Sequence, residues 1–151
     1  MSVDIKEVAR RTLAEIMPNG DVAALAQVVH PDCINHEAPP GTPPGFEGMK
    51  QTTLWLRQVF SDQRWDIHKV VGEGDMVAIY CTLHARHTGE LMGVPATNRP
   101  VAFRQVHLIR FEDGKGIEHW AVRDDLSLMR QLSVVSSPSR YELIARAVVP
   151  A

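Results

Sequence analysis

The sequence predicts an α+β domain in which three N-terminal helices pack against a curved antiparallel sheet. Apolar residues recur at helical spacing as far as Phe60, whereas from Arg64 onward the period changes to two. Turn signals divide the stretch from Arg64 to Arg123 into four extended segments joined as a meander. Helices that precede the strands, instead of alternating with them, favour α+β over α/β.

The first two helices are predicted to form a hairpin. The run Pro18-Asn19-Gly20 ends the first helix, and Asp21 can cap the second. We expect the second helix to reach Val29, because Pro31 disfavours helix in the residues just before it. The first helix carries a capping pair and apolar residues at helical spacing, namely Asp4 and Glu7, then Ile5, Val8, Ala9, Leu13 and Ile16.

A stiff loop precedes the third helix. Residues 34–37 allow a very short strand at most, and the prolines and glycines that follow exclude regular structure and could form a rim. The third helix is expected from about Glu47 to Phe60. Its apolar face would contain Met49, Thr53, Leu56 and Phe60.

The predicted sheet contains one long strand with clear alternation around residues 76–83. Turn signals occur at 72–75, 93–95 and 113–114, and a short helix from Leu126 to Leu132 would close the sheet. Residues 133–151 fit either a docking segment or a frayed tail. Three helices on a curved sheet would leave an apolar hollow that could enclose a small ligand.

Length, composition and charge are those of one domain comprising residues 1–151. With 44% hydrophobic residues and a net charge of -2, the chain is neither a disordered acidic tail nor a basic nucleic-acid-binding protein. No stretch approaches the ~18 apolar residues of a membrane span, and the N-terminus lacks a signal-peptide core. Two cysteines do not make a disulfide framework. We therefore expect a cytoplasmic protein that binds neither nucleic acid nor membrane.

Two adjacent acids, Asp124 and Asp125, end the last predicted strand. In a regular strand Asp124 shares a face with Trp120 and Val122, whereas Asp125 lies on the opposite face. The first face is the more apolar, so we expect Asp124 to face the hollow, where desolvation would raise its pKa and suit it to proton transfer. Asp125 would then lie in water.

Two alternatives remain for this pair of acids. A β-bulge in the strand would exchange the two faces. Both acids could instead be solvated, with Asp125 capping the following helix.

Polar residues interrupt another apolar stripe, which runs through Val101, Phe103, Ile109 and Phe111. His107 could polarise a substrate carbonyl or stabilise developing negative charge, and Gln105 could hold it. A core histidine bonded to the backbone is the alternative. Asn35 and Glu37 could contact a ligand or order the rim loop. The aromatic candidates for substrate contact are Phe103, Tyr80 and Trp120.

No metal or cofactor site is predicted. His84 and His87 are separated by an odd number of residues on a strand, so they lie on opposite faces. Cys81 lies on an apolar stripe and is expected to be a core residue, and Cys33 has no basic neighbour that would activate it. The run GTPPG lacks the amide donors and the lysine of a phosphate-binding loop.

Three stretches carry a likeness to a known family: INHEAPPGTPPGFEG, VGEGDMVAIYCTLHARHTGELMGVPATNRPV and IRFEDGKGIEHWAVRDDLSLMRQL. From about Ile5 to Leu132 the chain resembles the SnoaL-like polyketide cyclases, or SnoaL-like ester cyclases, of the nuclear transport factor 2-like superfamily. This resemblance implies a cone-shaped α+β barrel with a pocket between helices and sheet. It also implies a homo-oligomer, either a dimer or a tetramer.

The resemblance further implies a reaction. In these cyclases an acid in an HWxxxD segment serves as general acid and base in an intramolecular aldol condensation of an aromatic polyketide, without metal or organic cofactor. Counted from His119 and Trp120, this acid is Asp124. Asn35, Gln105 and His107 match positions of substrate-contacting polar groups. The expected protein is thus a cofactor-independent cyclase of antibiotic and other secondary metabolism, with a small polyketide-like substrate.

Arg123 departs from the family pattern, since relatives usually carry an apolar residue there. Beside two acids it resembles the constellation of limonene-type epoxide hydrolases in the same superfamily. Epoxide opening or hydration, pericyclic ring closure and non-catalytic ligand binding therefore remain alternatives to aldol chemistry.

Overall fold

The computed structural model describes residues 2–135, and the prediction for the C-terminal extension lies outside this range from residue 136 onward. Helix α1 (Ile5–Arg11) begins at Asp4, whose carboxylate accepts hydrogen bonds from the backbone N–H groups of Lys6 and Glu7. It continues as a π-helical turn (Thr12–Ile16) and α2 (Met17–Asn19). Gly20 ends it with a φ of 63°, in the left-handed region that glycine enters at least cost.

The second helix ends one residue earlier than predicted, and the first strand begins five residues earlier. Helix α3 (Val22–Val28) is capped by Asp21, whose carboxylate accepts the N–H of Ala24 at 3.0 Å. Strand β1 then runs over Val29–Asn35 instead of the predicted residues 34–37. Pro31 is tolerated because β1 is an edge strand whose register shifts between Val29 and Ile34, so the missing proline N–H breaks no regular ladder.

Helix α4 (Gly45–Val59) leads into the predicted meander of β2 (Phe60–Glu73), β3 (Met76–His87), β4 (Pro100–Glu112) and β5 (Lys115–Arg123). These four strands are antiparallel, and β1 adds in parallel beside β5, which gives the order β1-β5-β4-β3-β2. Within residues 2–135 the sheet is curved and unclosed, and the predicted α+β fold with helices packed against a curved antiparallel-rich sheet is confirmed. Helix α5 (Asp125–Gln131) follows β5 directly.

A β-bulge near the start of β5 decides which side chains face inward. The turn at Asp113 and Gly114 pairs Glu112 with Lys115, and in an unbroken ladder Arg110 would then lie opposite Ile117. Arg110 instead pairs with Glu118, so β5 contains one extra residue. Because side chains alternate between faces, every later residue of β5 lies on the face opposite to that expected from the hairpin.

The helices pack on one face of the sheet and bury the core there. Cys81 is fully buried, as predicted, and burial raises the pKa of its thiol to about 11. Each fully buried aliphatic side chain contributes about 1.5–3 kcal/mol relative to an exposed one. Within residues 2–135, none of the helices combines the length and apolar character that crossing a membrane requires. The main core residues are Ala9, Leu13, Val59, Phe60, Val77, Ile79, Leu83, Val101, Phe103, Leu128 and Leu132.

Candidate active site

A pocket of about 270 Å³ lies between the helices and the inner face of the sheet, where the sequence predicts a hollow. Its walls are mainly apolar, which suits a ligand with a large hydrocarbon surface. Helix α4 contributes Met49, Trp55 and Leu56, and the N-terminal helices contribute Leu13 and Met17. Among the polar lining residues are Asn35, Glu37, Gln63, Gln105, His107, His119, Arg123 and Asp125.

Four of these polar side chains form a continuous chain across one wall. Nε2 of His107 lies 2.7 Å from Oε1 of Gln105, and Nδ1 of His107 lies 2.9 Å from Nε2 of His119. Nδ1 of His119 lies 2.8 Å from Oδ1 of Asn35. Each ring nitrogen therefore has a protein partner, and these partners are side chains, not the backbone group that the alternative for His107 supposed.

Burial keeps both rings of this chain neutral near pH 7. It lowers the pKa of His107 well below the usual value, with further lowering by His119 and Arg123. Burial also lowers the pKa of His119 to about 4, again assisted by Arg123. Two neutral imidazoles carry two N–H donors between them, one on each ring.

The number of N–H donors on the two neutral rings fixes the donor-to-acceptor direction along this chain of side chains. Oδ1 of Asn35 already accepts the backbone N–H of Glu37 at 3.1 Å, so this end accepts and Nδ1–H of His119 donates to it. Nδ1–H of His107 then donates to His119, and Nε2 of His107 needs a donor. A 180° rotation of the Gln105 amide, which exchanges its oxygen and nitrogen, supplies that donor. With the amide oxygen in place, the chain would need one additional proton, which the lowered pKa values of both rings oppose.

Arg123 and Asp125 reach the pocket because of the bulge in β5. Arg123 lies directly opposite Gln105, and its guanidinium is 3.9 Å from Oε2 of Glu37. Burial lowers the pKa of Arg123, while Glu37 and Asp125 act in the opposite direction. Asp125 lies at an exposed edge of the pocket, where partial burial raises the pKa of its carboxyl and Arg123 opposes the rise.

The expected placement of the two acids is wrong. Asp124 is not among the pocket-lining residues: its carboxylate caps α5 by accepting the N–H of Ser127 at 3.1 Å. The other oxygen lies 3.8 Å from Arg104, which is on the outer face of β4. The cap that one alternative assigned to Asp125 is thus made by Asp124, and the acid in the pocket is Asp125. The bulge, which was the other alternative, is the cause.

Of the three aromatic candidates, one lines the pocket and two lie on the outer face. Phe103 is buried and lines the pocket. Trp120 lies outside it and stacks on His36, with ring centroids 4.9 Å apart. Tyr80 is 37% exposed on the outer face and contacts His68. The expectation that Trp120 and Tyr80 line the pocket is therefore wrong, since both belong to the outward set of their strands.

Sequence reasoning missed several residues of the site. His119 lies on the same face of β5 as Asp125, which the alternation of apolar residues predicts to point away from the hollow. Trp65 lines the pocket and approaches His107 edge-on, with ring centroids 5.9 Å apart. The polar residues Gln105 and His107 on β4 were the available signal for the inward face of β5. Residues directly opposite them on β5 lie on the same face of the sheet.

The other histidines and cysteines show no metal site. His87 is buried beside Thr97, while His84 bonds Asp66, so the two lie on opposite faces as predicted. Cys33 and Cys81 are both free thiols. Within the described range, His, Cys, Asp and Glu residues form no group of three or more that could hold a metal ion.

Comparison with known proteins gives a consistent match over most of the chain. A family model described as SnoaL-like polyketide cyclase matches residues 7–132. The nogalonic acid methyl ester cyclase of Streptomyces nogalater is 34% identical, with coverage of 70% of this chain and 81% of that protein. The aklanonic acid methyl ester cyclase DnrD of Streptomyces peucetius is 33% identical, with coverage of 87% and 92%.

Solved structures show the same fold. TsrD from Streptomyces laurentii superposes with a TM-score of 0.78 at 27% identity, covering 87% of this chain and 96% of that chain. Wild-type IdmH from Streptomyces antibioticus gives a TM-score of 0.72 at 31% identity, covering 87% and 99%.

Proposed function

The chain belongs to the SnoaL-like polyketide cyclase family and is an enzyme of that type, and from this premise we propose the reaction of its pocket. The proposed reaction is an intramolecular aldol closure of a polyketide methyl ester in antibiotic biosynthesis, without a cofactor. Nogalonic and aklanonic acid methyl esters, named for the relatives, represent the substrate class. The observation that carries the proposal is an acid with a raised pKa, Asp125, at the edge of an apolar pocket.

Asp125 is proposed to act as both base and acid. Its ionised carboxylate removes a proton from the carbon α to a carbonyl, and the resulting enolate carbon attacks a second carbonyl of the same molecule. A carbon–carbon bond forms, and Asp125 returns the proton to the new alkoxide. The raised pKa of Asp125 makes it a stronger base than an ordinary aspartate, which favours the first step.

The apolar walls are proposed to hold the flexible substrate in a folded shape. Phe103 and Trp65 offer aromatic surface to a planar ring system. Restricting the geometry of an intramolecular reaction can contribute several orders of magnitude in rate. Asn35, Glu37 and Gln105 are proposed as the polar wall that orients substrate oxygens.

His107 has a narrower proposed role than the sequence suggests. Both of its ring nitrogens have protein partners. When both histidines are neutral, His107 donates its N–H to His119. We therefore propose that His107 holds Gln105 in place, and that the Gln105 amide is the group that contacts substrate.

The two adjacent aspartates provide a matched test. We expect Asp125→Asn to lower kcat on aklanonic acid methyl ester by ~10²-fold or more, the range for a positioned acid or base, while substrate binding is retained. Asp124→Asn should keep kcat within a few-fold of wild type. Near-normal turnover by the Asp125 variant would contradict the proposed function.

We also propose that the enzyme is a cytoplasmic homodimer formed through the outer face of the sheet. Tyr80, Val106 and Val122 lie directly opposite one another there and are 37%, 42% and 77% exposed. A row of exposed apolar residues in the middle of a sheet is typical of a contact surface. Light scattering should detect monomers for Val122→Lys. The two free cysteines fit a reducing compartment.

A further inference from the structure

Arg123 places a poorly paired positive charge against the pocket. A guanidinium has five N–H donors, yet none of them makes a hydrogen bond to another residue in the described range. The nearest carboxylate oxygen, Oε2 of Glu37, is 3.9 Å away, which is outside hydrogen-bonding distance. The Arg123 side chain is only 28% exposed, so water satisfies it incompletely.

Glu37 is only partly available to Arg123. Its Oε1 accepts the backbone N–H of Ala121 at 3.2 Å, and its other oxygen is the one 3.9 Å from the guanidinium. The remaining donors of Arg123 are therefore available to a ligand. Among the residues of the described range that line the pocket, Arg123 is the one that carries a lysine or arginine side chain.

The neutral histidines leave the stabilisation of negative charge to another group. His107 and His119 have lowered pKa values, partly because Arg123 is close, and their N–H groups are used within the wall. When Asp125 takes a proton from the substrate, one negative charge moves from the carboxylate to a substrate oxygen. A guanidinium beside both groups can stabilise that charge before and after the transfer.

We propose that Arg123 binds an ionised oxygen of the substrate, either the enolate of a 1,3-dicarbonyl or the phenolate of an aromatic ring. This inference rests on the proposed function, in which Asp125 generates the enolate by removing the α proton. Arg123 donates N–H groups to the oxygen anion and touches the substrate directly. The substrate class is thus narrowed to polyketides that present an acidic enol or phenol close to the carbon that reacts.

A coloured phenol provides a test that does not depend on turnover. The probe is alizarin, a planar hydroxyanthraquinone whose visible absorption moves to longer wavelength when a phenol ionises. Titration with wild-type protein should show that the bound dye ionises at least one pH unit lower than the free dye, because the anion binds at least tenfold more tightly. Arg123→Gln should abolish this shift, and Arg123→Lys should retain part of it, since the charge remains.

Two further variants guard against misfolding as an explanation. Glu37→Gln can still accept the N–H of Ala121 but removes a competing negative charge, so it should strengthen binding of the dye anion. Arg104→Gln, on the outer face, should leave the dye titration unchanged, and circular dichroism should show native spectra for each protein compared.

An equal ionisation shift in wild type and Arg123→Gln would overturn the inference, as would absence of dye binding or preferential binding of the neutral dye. These outcomes are separable from failure of the proposed function. If Asp125→Asn keeps full turnover, the proposed base is wrong even where the dye titration depends on Arg123. If Asp125→Asn loses turnover but the dye titration does not depend on Arg123, Asp125 remains the proposed base and the proposed anion site is wrong.

Discussion

Gln105 of β4 lies directly opposite Arg123 of β5, one residue out of step with the pairing of Glu112 and Lys115 at the β4–β5 turn. The shift in pairing occurs at Ile117, which is the extra residue of the bulge. Beyond it, inward and outward positions on β5 are exchanged, which brings Arg123 to the pocket wall and leaves Val122 77% exposed. The bulge therefore determines which of the two adjacent aspartates can reach a substrate.

Deletion of Ile117 should keep most of the turnover, because it removes the extra residue and leaves Glu118 opposite Arg110 and Arg123 opposite Gln105 in a regular ladder. The inward and outward faces of β5 are then unchanged, so we expect little change in the free energy of unfolding. Turnover and chemical denaturation measure the two quantities.

Deletion of Ala121 is the matched contrast, since it also shortens β5 by one residue but does so beyond the bulge. With the bulge kept, it turns Val122 inward and Arg123 outward, which should abolish turnover and lower the free energy of unfolding by several kcal/mol. Equal turnover for the two deletion variants would show that the faces of β5 do not decide the site.

Asp124 should matter for stability more than for turnover. Its carboxylate caps α5 through the N–H of Ser127, and loss of an N-cap costs ~1 kcal/mol. We expect Asp124→Ala to lower the free energy of unfolding by about that amount in urea denaturation. Asp124→Asn should be nearly neutral, because asparagine is an equally good N-cap. The pair at 3.8 Å with Arg104 adds little, as is usual for exposed ion pairs.

Equal unfolding free energies for the alanine and asparagine variants would contradict a capping role for Asp124. They would leave the ion pair with Arg104, which both substitutions remove, as the remaining contribution of this carboxylate.

How far the sequence predicts this molecule depends on whether the signal is local. The caps at Asp4 and Asp21 and the stop at Gly20 act within a few residues, so the helices were predictable. The face of β5 depends on an extra residue in a ladder, which no local pattern reveals. The bond between His119 and Asn35 requires β1 to pair with β5, and these residues are far apart in the chain.

The buried histidines should make the protein sensitive to acid. The pKa of His119 falls from its usual value near 6.5 to about 4 on folding, so the unfolded chain binds more protons between these values. Stability from this ring is present above pH ~6.5 and is lost as the pH falls towards 4, by on the order of 2–3 kcal/mol. His107 contributes in the same direction.

Urea denaturation at a series of pH values should show this dependence in the wild-type protein. His119→Gln removes one titrating ring, so the unfolding free energy of this variant should fall less steeply over the same pH range. Identical slopes for the two proteins would mean that His119 is not held neutral by burial.

The acid limb of the kcat/KM profile should belong to Asp125 and respond to Arg123. As a base Asp125 must be ionised, and burial raises its pKa, so the limb should lie above the ~3.9 of an ordinary aspartate. Arg123 lowers the pKa of Asp125, hence Arg123→Gln should move the limb to higher pH. Arg104→Gln, which removes the cation beside Asp124, should leave it in place. A limb that moves with Arg104 and not with Arg123 would instead identify Asp124 as the base.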